Sequence, residues 1–242
     1  MSHLSVSHIT KSFEQNKVLS DLTFSIDQEE FVSILGPSGS GKSTIFNLIG
    51  GILIPELGEI ILDGKNIIGK RGSISYMPQT PALLPWRTVL DNVLLGSELQ
   101  GKKDRNQAIE MLNKAGLKDY VYARPHELSG GMKQRVAFIR ALLSPQSLIL
   151  LDEPFSALDE LTRLEMQKWL MSIWEENKRT VLFVTHSIEE ALFLSDRIYV
   201  LSNRPANVAA EFKVPFKRPR KQELLLQEDF LKCKREIYYT LT

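Results

Sequence analysis

At 242 residues the chain is long enough for one well-cored domain, or a domain with a small satellite. With 43% hydrophobic residues, 24% charged residues and a net charge of +1, it lacks the clearly basic balance of a whole-protein nucleic-acid binder. The single cysteine, Cys233, excludes an internal disulfide and fits a reducing compartment.

The N-terminal residues Met1-Ser2-His3-Leu4-Ser5-Val6 carry neither a basic nor an apolar targeting region. Phe31-Val32-Ser33-Ile34-Leu35 is a short apolar run ending at a glycine, which predicts a buried strand. Gly36-Pro37-Ser38-Gly39-Ser40-Gly41-Lys42-Ser43-Thr44 follows, and Lys42 to Ile49 reads as a helix. The apolar stretch Ile45 to Ile54 is interrupted by Asn47, Gly50 and Gly51. It is far short of the ~20 residues that span a bilayer, so a soluble chain is expected. Ile60 to Lys65 reads as a strand entering a turn, and Ser73 to Met77 as a strand leading into Pro78-Gln79.

From about Pro81 to Ala141 the pattern is mostly helical. Ala108, Leu112 and Ala115 recur after Asp104, and Met132, Val136, Ile139 and Leu143 recur after Ser129-Gly130-Gly131. Leu148 to Leu151 reads as a strand covered on both faces. Met166, Trp169, Leu170 and Ile173 mark an amphipathic helix, and Val181 to Val184 and Arg197 to Leu201 are further strands. Strands alternating with helices predict an α/β fold with a mainly parallel sheet. The last predicted element, Leu224 to Tyr239, is a helix packing back on the core.

A triphosphate concentrates several negative charges within a few ångström. Gly36, Gly39 and Gly41 let the backbone turn tightly and aim N–H groups at such a ligand, and the helix from Lys42 adds its positive end. The spacing Gly-x-x-x-x-Gly-Lys-Ser between strand and helix is that of a phosphate-binding P-loop, with Lys42 on the β- and γ-phosphates and Ser43 on Mg²⁺. Asp152 and Glu153 end a strand, where the crevice of an α/β sheet opens. Neighbours on a strand point opposite ways, so Asp152 is expected at the metal and Glu153 at an attacking water as general base.

Leu128-Ser129-Gly130-Gly131-Met132-Lys133-Gln134-Arg135, taken with the P-loop, resembles the signature of the ATP-binding cassette family, the ATPase subunits of ABC transporters. The resemblance covers about Leu4 to Pro219. It implies a P-loop NTPase core with an antiparallel β subdomain and an inserted helical subdomain at about 80–143. The cassette would span residues 1–220, with a C-terminal helical tail at 221–242. His186 stands at the switch histidine of the family. Gln79 stands at the Q-loop glutamine, at the metal and the water, although Met77-Pro78 precedes it where the family commonly has an aromatic. Phe13 stands where an aromatic stacks on adenine, near Val18, and Asp159 matches the D-loop.

The resemblance further implies a head-to-tail dimer in which Ser129, Gly130 and Gly131 of one copy cap the ATP held by Lys42 of the other. Permease subunits and, through them, a solute-binding protein would complete the machine at the cytoplasmic face of the membrane, with ATP and Mg²⁺ as the cofactors and no nucleic-acid partner. Leu83-Leu84-Pro85-Trp86-Arg87-Thr88-Val89 and Leu201-Ser202-Asn203-Arg204-Pro205 resemble the nitrate, sulfonate and taurine importer group, which also holds thiamine-precursor and riboflavin importers. A soluble ABC ATPase of DNA repair or translation is the alternative within the family. Thr80 to Trp86 is apolar enough to be either a permease contact or a packed loop. The basic run Lys213, Lys217, Arg218, Arg220 and Lys221 reads as a solvated surface, with anionic lipid as the alternative contact.

Overall fold

The computed structural model describes residues 3–101 and 104–241; Met1 and Ser2, at the head of the stretch read for targeting, Lys102, Lys103 and Thr242, the last residue of the expected tail, lie outside. The chain forms two compact units, one from residues 1–74 with 179–242 and one from residues 75–178.

In the first unit, strands β1 (Leu4–Phe13) and β2 (Asn16–Ile26) form an antiparallel hairpin. Strands β4 (Leu57–Leu62) and β5 (Lys65–Asn66) extend it in the order β2-β1-β4-β5. The alternation of β1 and β2 is broken by register shifts, and His8 and Asp21, one on each strand, adopt left-handed φ values of 54° and 56°. The His8 Nδ1 and Asp21 Oδ1 atoms lie 2.7 Å apart across this irregularity. Such bulges turn side chains off the period of two, which hides the strands from a periodicity reading. Gly58 answers the same irregularity from β4: a Cβ there would lie 2.4 Å from the Ser7 carbonyl oxygen.

The second sheet of this unit holds β3 (Phe31–Leu35), β8 (Thr180–Val184), β9 (Arg197–Leu201) and β10 (Val208–Lys213). β3 pairs in parallel with both β8 and β9, and β10 closes the edge antiparallel to β9. All five residues of β3 and of β8 are buried, as expected for parallel strands covered on both faces. Helix α1 (Lys42–Ile49) follows β3, and α7 (Ile188–Leu194) follows β8.

The tail belongs to this core. A three-ten turn at Gln222–Leu226 leads into α8 (Glu228–Leu241), whose Phe230 and Ile237 are buried with Ala191 and Leu192 of α7 and Ile198 and Val200 of β9. Burying a phenylalanine contributes about 1.5–3 kcal/mol, which helps to anchor α8 on this core. The basic run is not simply solvated. Arg220 donates to the carbonyls of Leu192, Phe193 and Ser195 at 3.1, 3.0 and 2.7 Å, and Arg218 donates to the Leu194 carbonyl at 2.6 Å and to Asp196. These are the last carbonyls of α7, which have no partner inside their own helix. Two of the five cations are therefore helix caps, and Lys213, Lys217 and Lys221 remain of the surface expectation.

In the second unit β6 (Ser75–Met77) and β7 (Leu148–Asp152) run in parallel. Between them lie α2 (Val89–Val93), α3 (Leu95–Glu98), α4 (Arg105–Lys114) and α5 (Gly130–Leu142), and α6 (Glu160–Asn177) follows β7. Each longer helix has a side chain over its start: Asp104 accepts from Gln107, Ser129 from Met132, and Asp159 from Thr162. The buried side of α5 is wider than its predicted stripe, since Ala137, Phe138, Ala141 and Leu142 are buried beside Val136 and Ile139, while Met132 and Leu143 are half-buried. No helix among the described residues is long and apolar enough to cross a membrane.

Candidate active site

The predicted site residues fall in both units. In the first, β3 delivers the chain to Gly36, and the loop turns through Gly39 (φ 80°) and Gly41 (φ 100°) into α1. Gly41 is the residue before the helix, and no side chain caps the first amides of α1. The close fit beneath it explains the glycine: a Cβ on Gly41 would lie 2.9 Å from Val18 Cγ1 and 3.0 Å from Leu19 Cδ2. Val18 and Leu19 are pinned in turn, because Ala206 donates its amide to the Val18 carbonyl and accepts from Ser20. Pro37 accepts from the Ser40 amide at 3.1 Å, which closes the loop.

Lys42 is buried, and its ammonium donates to the carbonyls of Gly36 at 2.9 Å and Pro37 at 3.0 Å. Ser43 is exposed and Thr44 half-buried on the first turn of α1. Ser38 is exposed at the tip of the loop, whereas Ser40 is buried within it. Phe13 ends β1 and is 42% exposed, with the Lys11 ammonium over its ring at 5.5 Å from the centre. His186 is exposed one residue beyond Thr185, which follows β8. Its flanks are tied: Thr185 donates to the buried Glu190 carboxylate at 2.5 Å and accepts from the Ser187 amide at 3.0 Å.

In the second unit the carboxylates sit at the end of β7. Asp152 is its last residue; Glu153 lies past it with a left-handed φ of 42°. Glu153 is therefore not the strand neighbour that alternation assumes: it lies in the turn that follows β7. Each carboxylate has its own donor, one from β6 and one from the loop that follows it. Tyr76 donates its hydroxyl to Asp152 Oδ2 at 3.0 Å, and Gln79 Nε2 donates to Glu153 Oε2 at 3.3 Å and to Ser156 Oγ at 3.1 Å. Burial, and then the Asp152 charge, push the Tyr76 phenol well above its ordinary range, so it stays a donor at neutral pH.

The parallel register explains both pairs. Tyr76 lies level with Leu150 and Met77 with Leu151, so the same alignment continued past the ladder brings Gln79 level with Glu153. Side chains two residues apart share a face, which puts Asp152 on the side of Tyr76. Both Gln79 contacts use the amide nitrogen; the amide oxygen, the one atom of that side chain a metal can take, is not engaged by them. Gln134 of α5 reaches the same loop, donating to the Gln79 carbonyl at 3.4 Å.

Ser129 and Gly130 are exposed at the start of α5. A Cβ on Gly130 would meet no atom within 4 Å, whereas one on Gly131 would lie 3.0 Å from Thr162 Cγ2. Asp159 caps α6 by accepting from the Thr162 amide at 3.0 Å, and that bond holds its carboxyl below the usual aspartate range. Tyr76 and Ser156 escaped the sequence reading, because their partners become visible only once β6 and β7 are paired.

The model of the ABC transporter family matches residues 19–156, more than half of the chain. A formylaminopyrimidine import ATP-binding protein of Halalkalibacterium halodurans is 46% identical over 85% of this chain and 82% of its own. A taurine import ATP-binding protein of Rhizobium johnstonii is 43% identical over 90% and 84%. Among solved structures, a dimeric ATP-binding cassette in a post-hydrolysis state with ADP and Pi superposes with a TM-score of 0.75 at 33% identity, covering 88% of this chain and all of that one. An ATP-binding cassette of an ABC transporter in its ADP conformation gives 0.78 at 26% identity over 99% of each chain. With its P-loop, its paired carboxylates and its serine-glycine helix start, the chain belongs to the ABC transporter family as an ATP-hydrolysing, ATP-binding subunit.

Proposed function

We propose that this ATPase energises an importer of a small organic or inorganic solute whose pore is formed by separate permease chains. Relatives named for formylaminopyrimidine, taurine, nitrate and aliphatic sulfonate import support the direction of transport. The observation that carries the mechanism is the presence of two helix starts suited to phosphate, α1 and α5, in a chain whose P-loop alone suffices for one nucleotide. A second copy gives α5 its purpose: Ser129, Gly130 and Gly131 of one copy close over the ATP held by the other, and Asp159 crosses the junction.

In this reading the backbone from Gly36 to Thr44, with Pro37, Ser38 and Ser40 completing the loop, surrounds the phosphates. Lys42 exchanges the Gly36 and Pro37 carbonyls for the β- and γ-phosphate oxygens. Phe13 stacks on the adenine beside Val18, a contact of about 1–3 kcal/mol that reads no base edge. Ser43, Gln79 and Asp152 offer a hydroxyl, an amide oxygen and a carboxylate, all hard oxygen donors. Among the described residues no three His, Cys, Asp or Glu side chains form a cage. That donor set suits Mg²⁺, which keeps water and phosphate ligands of its own. When bound, Mg²⁺ neutralises charge on the β- and γ-phosphates. Glu153 accepts the proton of the water that attacks the γ-phosphorus, Gln79 and His186 orient that water and the γ-phosphate, and ADP leaves as the other product.

The helical segment at about 80–143 is the part we assign to the permease, and the Trp86 side chain, 69% exposed, marks the contact. That assignment places the chain at the cytoplasmic face of the membrane, with a solute-binding protein reached through the permease. Light scattering of Glu153→Gln with and without Mg-ATP tests the mechanism. Removal of a general base lowers turnover by about 10²–10⁴-fold while nucleotide still binds, and the arrested variant should shift from monomer to dimer on Mg-ATP. Near-normal hydrolysis by the variant removes Glu153 from its role. A monomer that holds Mg-ATP removes self-pairing from the mechanism of the isolated chain.

A further inference from the structure

We infer that Tyr76 is a positioning residue for Asp152, fixing through its hydroxyl the orientation in which that carboxylate meets the metal shell. The inference deepens the assignment of Asp152 to Mg²⁺ and rests on it. Its basis is the 3.0 Å bond to Asp152 Oδ2 together with the β6–β7 register, which sets the two side chains on one face two residues out of step. A tyrosine is long and rigid enough to cover that offset, whereas a shorter hydroxyl at residue 76 is not. The carboxylate is on the final residue of β7, and the chain turns at Glu153, with a left-handed φ of 42°, immediately after it. The ladder with β6 ends at Leu151, so Asp152 lies one residue past its last pair, and the phenol gives its side chain a point of attachment there. With one oxygen bonded by Tyr76, a half-exposed carboxylate has its rotation about the Cβ–Cγ bond restricted.

Gln79, three residues on, does the same for Glu153. The segment from β6 into the loop thus carries one donor for each carboxylate. Donors behind a metal ligand orient it, and removing one commonly weakens metal binding by about 10–100-fold. Tyr76 is 37% exposed, so the lower end of that range applies.

The test is Mn²⁺ binding to the ADP-loaded full chain, read by electron paramagnetic resonance, in wild type, Tyr76→Phe and Asp152→Asn. Phenylalanine keeps the ring and removes only the donor. Tyr76→Phe should bind Mn²⁺ about tenfold more weakly, with unchanged ADP affinity in excess EDTA and an unchanged melting temperature. Because a purely structural tyrosine would not separate metal affinity from nucleotide affinity, that separation is the deciding readout. Wild-type Mn²⁺ affinity in Tyr76→Phe, with Asp152→Asn impaired, overturns the inference and leaves Asp152 at the metal. Wild-type affinity in Asp152→Asn overturns the metal assignment itself. A melting temperature lowered in Tyr76→Phe together with weakened metal-free ADP binding assigns the tyrosine to packing and also overturns the inference.

Discussion

Helix α1 starts from Gly41, at a φ of 100° and with no side chain over its first amides, whereas α5 starts from Ser129, extended at φ −65° and ψ 166°, with its own hydroxyl accepting the Met132 amide proton at 3.3 Å. Both present the positive end of a helix. The first keeps its amides clear of side-chain caps and is wrapped by a glycine loop that packs on Val18 and Leu19, so it can enclose an anion alone. The second has one amide already satisfied, and its serine retains a hydroxyl proton to donate. Its outer surface at Gly130 is open. A start of this kind can cover an anion that another group holds, and that division of labour is what a two-copy site requires.

The largest effect that can break this contrast comes from one methyl group at Gly130. Within the chain there is room for it, and alanine at the first position of a helix leaves stability unchanged or raises it by up to about 1 kcal/mol. If a nucleotide and a second copy occupy that space in the working state, Gly130→Ala should lower ATP hydrolysis by about 100-fold, the loss expected when reacting groups are displaced by an ångström. Phosphate release and thermal unfolding on the same preparation decide the matter. Full hydrolysis in a stable Gly130→Ala protein means that nothing closes over α5, and the two-copy site fails. Gly131→Ala is the poorer probe because its methyl group meets Thr162 inside the same unit.

The two starts also differ in how far the sequence exposes them. The P-loop is built from backbone, so glycine spacing between an apolar run and a helix is enough to locate it, and β3, α1 and β9 have the predicted limits. The carboxylate cluster is built from side chains on paired strands. Asp152 and Glu153 stand out as an acidic pair, but Tyr76 has meaning only once it is aligned with Leu150. Glu153 looked like a strand residue because nothing local announces a left-handed turn at a glutamate. Strands β1 and β2 escaped for a related reason, since bulges at His8 and Asp21 break the alternation that marks a strand. Arg218 and Arg220 look like surface charge because the carbonyls they cap lie more than twenty residues away.

A smaller effect sharpens the account of α1. Gly41→Ala places a side chain at a positive φ, which costs about 1–3 kcal/mol, and presses it on Val18 and Leu19. The melting temperature should fall and nucleotide affinity with it. An alanine variant as stable as wild type would show that the loop can tilt away from β2, and the claim of a prebuilt cradle would lose its basis.

The smallest effect concerns a third helix start, that of α6, where an acid replaces the serine of α5. Asp159 accepts from the Thr162 amide, and this bond lowers its pKa below that of an ordinary aspartate. A carboxylate with a lowered folded pKa stabilises the protein above its unfolded pKa of about 3.9 and loses that contribution as the pH falls through the folded value. Wild type should therefore lose stability on acidification below about pH 4 that Asp159→Asn retains, since asparagine caps a helix equally well without titrating. Asp159→Ala should be less stable than either at neutral pH. The asparagine variant also separates cap from junction. With α6 intact, a several-fold loss of ATP hydrolysis in Asp159→Asn would give the charge a task outside its own chain, whereas wild-type hydrolysis would reduce Asp159 to a cap and leave α5 as the one start that reaches toward a second copy.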